Sequence, residues 1–463
     1  MPLRLWLKGV VDKQRPIKIG ILGHVGNDNL GDEAIIAALV ANLQLRLPDA
    51  ELVGFTMNPS DTTARHGITA FRVRRGRAGS ERRDDPAAVA EIPRTHRKGL
   101  RERLRSLSIL FLLLKRVQSV ALGAREAVSE IPFLVRAYRR LSGMSLLILA
   151  GSQQMSDAVR GPWGFPYALF KWTLLARLRR IPVAVVSVGA GPINSAVSRW
   201  FVKRTVSMAA YRSYRDEISR DVIRSLGFKE PGEVAPDLAL SLPVGSDLHE
   251  PAAHLTVAIN PMPFIWQEYD AETERVLYSG YADTMAAFAV WLIDRGYRVA
   301  FLATQMRGDP PVIRDIVSRV TETRPDLLHG GHVAVYDIRG LDDLLRGLRS
   351  ASIVVATRFH GVVLGCHVGR PVLALAYHPK TRDLMDQMGD GAYAVPAQHV
   401  RLTELQTTFL DLEQHRHEVA ARRQSRLPDM RIALADQYDR VLECAHLTRG
   451  AFTEPPTSVV RVA

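Results

Sequence analysis

Short apolar runs alternate with amphipathic segments along most of this chain. Residues 17–22 form an apolar run ending in glycine, the pattern of a strand buried in a parallel sheet. A glycine-containing loop, 23–33, follows. Residues 34–47 then place Ile35, Leu39, Leu43 and Leu47 at every fourth position, which predicts a helix that Pro48 ends. The same alternation predicts strands at 51–56, 146–150, 183–188 and 211–214, with helices at 167–179, 196–209 and 216–226. A polar, proline-containing stretch at 243–254 interrupts it. A second series follows, with strands at 255–260, 299–303, 333–336, 353–356 and 372–377. Its helices fall at 281–295, 312–323, 342–349, 361–368 and from 379 onward, and 402–447 is largely helical. The expectation is an α/β protein with two Rossmann-like domains, 1–242 and 255–445, a cleft between them, and a flexible tail at 446–463.

Hydrophobic residues make up 47% and charged residues 24% of the 463, which excludes wholesale disorder. No apolar run approaches the roughly 20 residues of a membrane span. The basic N-terminus lacks the apolar core of a signal peptide, so a cytoplasmic location is expected. Two cysteines, Cys366 and Cys444, exclude a disulfide framework or a four-cysteine zinc site.

Charge changes the picture more. Lys and Arg total 61 against 48 Asp and Glu, a net +13 that favours anionic partners. The excess crowds into an insertion near 72–141 of the first domain. Its first part is basic without apolar period. Its second part carries Leu100, Leu104, Leu107, Phe111 and Leu114 at helical spacing beside arginines. That stripe predicts either a helix packed on the protein's own sheet or one lying on an anionic membrane surface at the inner face of the cell membrane. The arginines lack interleaved aromatics, so nucleic acid is not an expected partner.

Candidate chemistry gathers where predicted strands end. The first loop, with Gly26, Asn29, Gly31 and Asp32, joins strand to helix and offers backbone N–H groups to an anion. A tight turn with Asp32 complementing the helix dipole would read the same way. Gly151 and Ser152 open a second small-residue loop that reaches Asp157, a candidate base or a helix cap. Gly189 and Gly191 form a third. Arg215 stands at the next strand-to-helix junction, as an anion clamp or a local partner of Asp216 and Glu217. Arg358 and His360 end one later strand and Lys380 follows the next, so two cations and a titratable imidazole converge on one sheet edge. They suit a small polyanionic substrate that needs a proton delivered. His367 and His378 read as structural. No metal-ligand motif is present.

These residues carry a resemblance. Asn29-Leu30-Gly31-Asp32-Glu33-Ala34, Val188-Gly189-Ala190-Gly191-Pro192, Tyr214-Arg215-Asp216-Glu217-x-Ser219, Arg358-x-His360-Gly361 and Tyr377-x-Pro379-Lys380 resemble, in order and spacing, the polysaccharide pyruvyl transferase family. The family's usual triple-glycine loop reads Ala150-Gly151-Ser152 here. The resemblance implies a GT-B-like fold. It also implies transfer of the pyruvyl group of phosphoenolpyruvate, as a ketal, onto a sugar of a polysaccharide or lipid-linked glycan. That pattern points to Arg215, Arg358 and His360 as donor-binding or catalytic positions, with Lys380 carried over beside them. Physically, the three cations suit the donor's carboxylate and phosphate, His360 is the candidate acid, and Asp157 is a candidate to orient or deprotonate the acceptor hydroxyl. No cofactor or metal is implied beyond phosphoenolpyruvate as co-substrate. The runner-up is a nucleotide-sugar-dependent GT-B glycosyltransferase. The retaining enzymes of that fold commonly hold the ribose with a glutamate, and residues 351–389 contain none.

Overall fold

Runs such as Leu-Leu-Ile-Leu-Ala at 146–150 are apolar on both faces, which suits a strand covered on each side by helices. The computed structural model describes residues 16–75, 129–243, 255–263, 271–328 and 331–447. It places that run in a seven-stranded parallel sheet. The strands are β1 (Lys18–Leu22), β2 (Glu51–Thr56), β3 (Thr69–Arg72), β4 (Leu146–Ala150), β5 (Val183–Val188), β6 (Tyr211–Tyr214) and β7 (Glu233–Val234), in the order β3-β2-β1-β4-β5-β6-β7. A second parallel sheet holds β8 (Thr256–Asn260), β9 (Arg298–Phe301), β10 (Val333–Val335), β11 (Ile353–Ala356), β12 (Val372–Ala376) and β13 (Ala394–Pro396), in the order β10-β9-β8-β11-β12-β13. In each sheet the order reverses once, between β1 and β4 and between β8 and β11. Loops leaving such a switch point diverge and open a crevice at the carboxyl ends of the strands.

Helices cover both sheets. In the first half they are α1 (Leu30–Arg46), α2 (Pro59–His66), α3 (Phe165–Leu178), α4 (Ala196–Met208) and α5 (Glu217–Ser225). In the second they are α6 (Ala271–Asp294), α7 (Asp309–Thr323), α8 (Leu341–Ser350), α9 (Phe359–His367), α10 (Pro379–Gln387), α11 (Leu402–Gln414) and α12 (Arg416–Glu443). Strand positions follow the sequence pattern closely. Helix α1 starts earlier than its apolar period, because the Asn29 side chain accepts the Gly31 N–H and caps the helix there. Asp32 and Glu33 therefore sit in its first turn rather than in a loop. The short elements α2, β3, β7 and β13 have no period to read.

Helix α6 is long and apolar enough to cross a membrane by length and composition, unlike anything the sequence reading picked out. Its Tyr281, Met285, Phe288, Ala289 and Leu292 are buried in the core of the second half, so it is a core helix. Within the insertion, 129–140 is helical and buries Phe133 and Ala137 beside Trp172. The leucine stripe at 100–114, the linker at 244–254 and the tail beyond 447 lie outside the described residues.

The last helix, expected within 255–445, has contacts with both halves. Near its start, Arg423 donates to Asp390 at 2.7 Å, both fully buried, and Arg422 reaches the same carboxylate at 3.1 Å. Near its end, Gln437 donates to Ser213 and Ser187 at 2.6 and 3.0 Å, and Asp439 accepts from Arg46 at 2.8 Å. Gln437, Ser187, Ser213 and Arg46 are buried there, and their hydrogen bonds offset the loss of water, while Asp439 stays partly exposed. Asp390→Ala should therefore lower unfolding stability by about 3 kcal/mol, because Arg423 stays buried without its counter-ion. Denaturant titration reads this loss.

Candidate functional site

The loops at the carboxyl ends of the two sheets face each other and enclose a cavity of about 320 Å³. From the first half it is lined by His24, Asn29, Asp32, Ser152, Gln153 and Arg215. From the second it is lined by Thr304, Arg358, Phe359, His360, Tyr377 and Lys380. Two backbone hydrogen bonds join the halves at its edge: Leu30 N–H to Thr304 O at 2.8 Å and Met306 N–H to Asp28 O at 2.9 Å. Arg307 adds an ion pair to Asp28 at 2.8 Å.

Gly31 faces His360. A Cβ at Gly31 would lie 2.1 Å from the imidazole Nδ1, far inside van der Waals contact. The first turn of α1 can thus approach the ring only with glycine there. The other imidazole nitrogen, Nε2, lies 3.8 Å from Asp237 Oδ2. Neither atom has a hydrogen-bond partner among the described residues. Burial pushes the His360 imidazole below its ordinary value; Asp237 and Asp32 oppose that shift, and Arg215 and Lys380 add to it.

The two arginines are held by carboxylates. Arg358 sends Nε and Nη2 to Asp309 Oδ1 at 2.8 and 2.6 Å, and Asp309 also accepts the backbone N–H groups of Thr304 and Gln305. Arg215 lies 3.7 Å from Asp237 and is bonded to Gln153 and Asp216. Two cations lie over the Phe359 ring, Arg215 at 4.8 Å and Lys380 at 5.1 Å from its centroid. Burial lowers the Lys380 ammonium's affinity for its proton, with Tyr377 opposing and Arg215 assisting. For Tyr377 burial acts to raise the phenol, but the charges of Lys380, Arg358 and Arg215 outweigh it and bring it below the ordinary value. No side chain caps α9, so its first-turn N–H groups join these cations at the cavity.

On the opposite wall, His24 Nδ1 lies 3.0 Å from Asp32 Oδ2, and Asn29 donates to the same oxygen at 3.0 Å. Burial acts to raise the Asp32 carboxyl. The hydrogen bond and charge of His24, then the charge of His360 and a bond to Ser152, outweigh it and hold Asp32 below the ordinary value. An ionised carboxylate paired with an imidazole is a proton-accepting arrangement.

Of the residues predicted from sequence, Arg215, Arg358, His360, Lys380, Asn29, Asp32 and Ser152 line the cavity together. Gly31 touches His360, and Gly189 gives room to Arg215 and Gln153. Gly26, Gly151 and Gly191 do not line the cavity; they adopt positive φ and shape the loops behind it. Asp157 also stands apart from the lining residues. Its oxygens accept the N–H groups of Asn194 and Ser195 at 2.8–3.1 Å, which ties down the turn into α4 and leaves it outside the cavity wall. His24, Gln153, Asp237 and Asp309 escaped the sequence reading. His24 had a usable signal, its place at the end of β1. Asp237 follows a two-residue strand and had none. Among the described residues no group of three or more His, Cys, Asp or Glu is arranged to hold a metal.

The family model described as polysaccharide pyruvyl transferase matches residues 29–379, which spans every lining residue except His24 and Lys380. No protein of curated function matches the chain. Among solved structures, the UDP-GlcNAc 2-epimerase from Neisseria meningitidis bound to UDP-GlcNAc is similar, with TM-score 0.55 at 10% identity, covering 92% of this chain and all of that one. The putative UDP-N-acetylglucosamine 2-epimerase from Listeria monocytogenes gives 0.54 at 12%, covering 94% and 98%. These likenesses establish a GT-B-like fold of two parallel-sheet α/β units and nothing finer. Gly31→Ala should part the first turn of α1 from His360. Its expected result is a measurable fall in melting temperature and loss of whatever ligand bridges the halves, read by calorimetry.

Proposed function

The chain belongs to the polysaccharide pyruvyl transferase family, and from that premise we propose that the cavity moves the pyruvyl group of phosphoenolpyruvate onto a sugar of a polysaccharide or lipid-linked glycan as a cyclic ketal. The observation that carries this reading is the cluster of Arg215, Arg358 and Lys380 around an imidazole whose Nε2 is unpartnered. Phosphoenolpyruvate brings a carboxylate and a phosphate on three carbons. Two arginines with fixed forks, one ammonium and the uncapped α9 N-terminus match that charge. The likeness to UDP-binding epimerases does not shift the reading toward nucleotide sugars, since at this identity it carries only the fold.

The chemistry follows from the placement. Donor charge raises the proton affinity of His360, which then delivers a proton to C3, turning the methylene into a methyl group. C2 becomes electron-poor, and a sugar hydroxyl adds there as the His24–Asp32 pair takes its proton. Phosphate leaves C2, and a second hydroxyl of the same sugar closes the ring. One hydroxyl proton balances the proton gained by C3, and the other is carried off as phosphate departs. The enzyme works in the cytoplasm on this reading, beside its glycan carrier.

Incubation with phosphoenolpyruvate and a panel of lipid-linked glycans, reading phosphate release, tests the proposal; no release with any acceptor and no donor binding would sink it. Arg358→Ala and Arg215→Ala should each weaken donor binding about 10- to 100-fold by calorimetry, the worth of a charge-assisted contact. Unchanged affinity in both would move the anion site elsewhere. His360→Ala should cut turnover by about 10²–10⁴-fold in a folded protein. Because the free imidazole has a lowered proton affinity, donor binding should take up a proton and strengthen as pH falls from neutral toward the free ring's own value. Calorimetry in buffers of different ionisation heat reads that uptake, which His360→Gln should abolish.

A further inference from the structure

We propose that the outer face of α3 and α4 docks the enzyme on an anionic lipid bilayer. Residues 158–215 contain ten Lys and Arg and no Asp or Glu, where the chain's average would put about six acidic residues. Two of the ten cations, Lys171 and Arg215, are buried. Exposed Arg177, Arg180, Lys203 and Arg204 belong to α3, α4 or the turn after α3, and none forms an ion pair with a described residue.

Between these cations runs an aromatic ridge. Trp163 stacks edge-on to Tyr167 and Phe201 at 5.5 and 5.7 Å, and Phe170 meets Trp200 at 5.0 Å. Arg204 lies over the Trp200 ring at 5.6 Å. Trp163 is 66% exposed, Leu178 63% and Trp200 48%. Large apolar side chains left in water beside unpaired cations mark an interaction surface. Tryptophan suits the boundary between lipid and water, and arginine and lysine are attracted to anionic headgroups there. A neutral glycan would stack on the indoles but leave the cations unused. A nucleic acid would leave the aliphatic Leu178 unused.

The face begins at the cavity. Val159 and Phe165 line the cavity, and Trp163 stands between them in sequence. Docking by this face would bring the cavity to the bilayer surface, where a lipid-linked acceptor is anchored. The inference rests on that form of the acceptor proposed above, but vesicle binding is read without donor or acceptor, so the two can fail separately.

The test is co-sedimentation of the full chain at low salt with vesicles of neutral phosphatidylcholine and with vesicles carrying about a third phosphatidylglycerol. The expected result is sedimentation with the anionic vesicles only. A combined Arg177→Glu, Arg180→Glu, Lys203→Glu and Arg204→Glu variant should weaken partition by more than about a hundredfold, since each cation near such a surface contributes roughly fivefold. Its melting temperature and phosphate release with soluble acceptor should stay those of the parent. Comparison with Trp163→Phe/Trp200→Phe should show that these two indoles shift to the blue on binding. Undiminished sedimentation of the quadruple variant would assign binding to another basic segment and overturn the proposal. So would no sedimentation at all, an indole shift with soluble oligosaccharide but none with vesicles, or indoles already shielded from iodide in the free protein.

Discussion

The first turn of α1 rests against the imidazole of His360, and the site depends on that contact. It brings a helix N-terminus from one half to the histidine of the other. The same turn carries Asp32, so the His24–Asp32 pair and the His360 ring face one cavity although over 300 residues separate Asp32 from His360 in the chain. Glycine at position 31 contributes nothing by its own chemistry. What it supplies is distance, and electrostatic interaction between fixed groups grows as distance and solvent shrink.

A second economy lies in Asp309. Its carboxylate orients Arg358 and also accepts two backbone N–H groups from Thr304 and Gln305. Those residues belong to the strip that bonds to 28–30 of the other half. One buried carboxylate thus fixes a cavity-lining arginine and the seam between the halves. Asp237 has a comparable double position between Arg215 and His360. Such sharing preorganises the cations, so less reorganisation is needed when a ligand arrives.

The sheets were legible because their central strands are apolar on both faces and short, a pattern with few alternatives. So was the carboxyl edge, since parallel strands point their ends one way; Arg215, Arg358, His360 and Lys380 followed from that alone. The surroundings of Asp157 were not legible, because a carboxylate after a strand looks alike whether it faces a cavity or captures backbone N–H groups. The difference lies in the path of residues 192–195, which no local pattern encodes. Asp237 and Asp309 were hidden for a related reason. Each acts by holding a residue far away in sequence, and only the folded chain supplies the partner. The return of α12 to the first half was equally unreadable, because its amphipathic pattern says that a face is covered and not by what.

That return has a mechanical consequence. The chain crosses between the halves twice, once in the segment before β8 and once along α12. A body tied to another at two places can swing about the line through them but cannot slide or twist freely. Asn29 and Thr304 line the cavity and also belong to the strip that joins the halves, so such a swing admits a bulky glycan between them only by unzipping that strip. Entry would then resemble a door on two hinges, with that strip as one latch. The latch would combine main-chain bonds with the Arg307–Asp28 ion pair, and the hinge would include the last helix of the described chain.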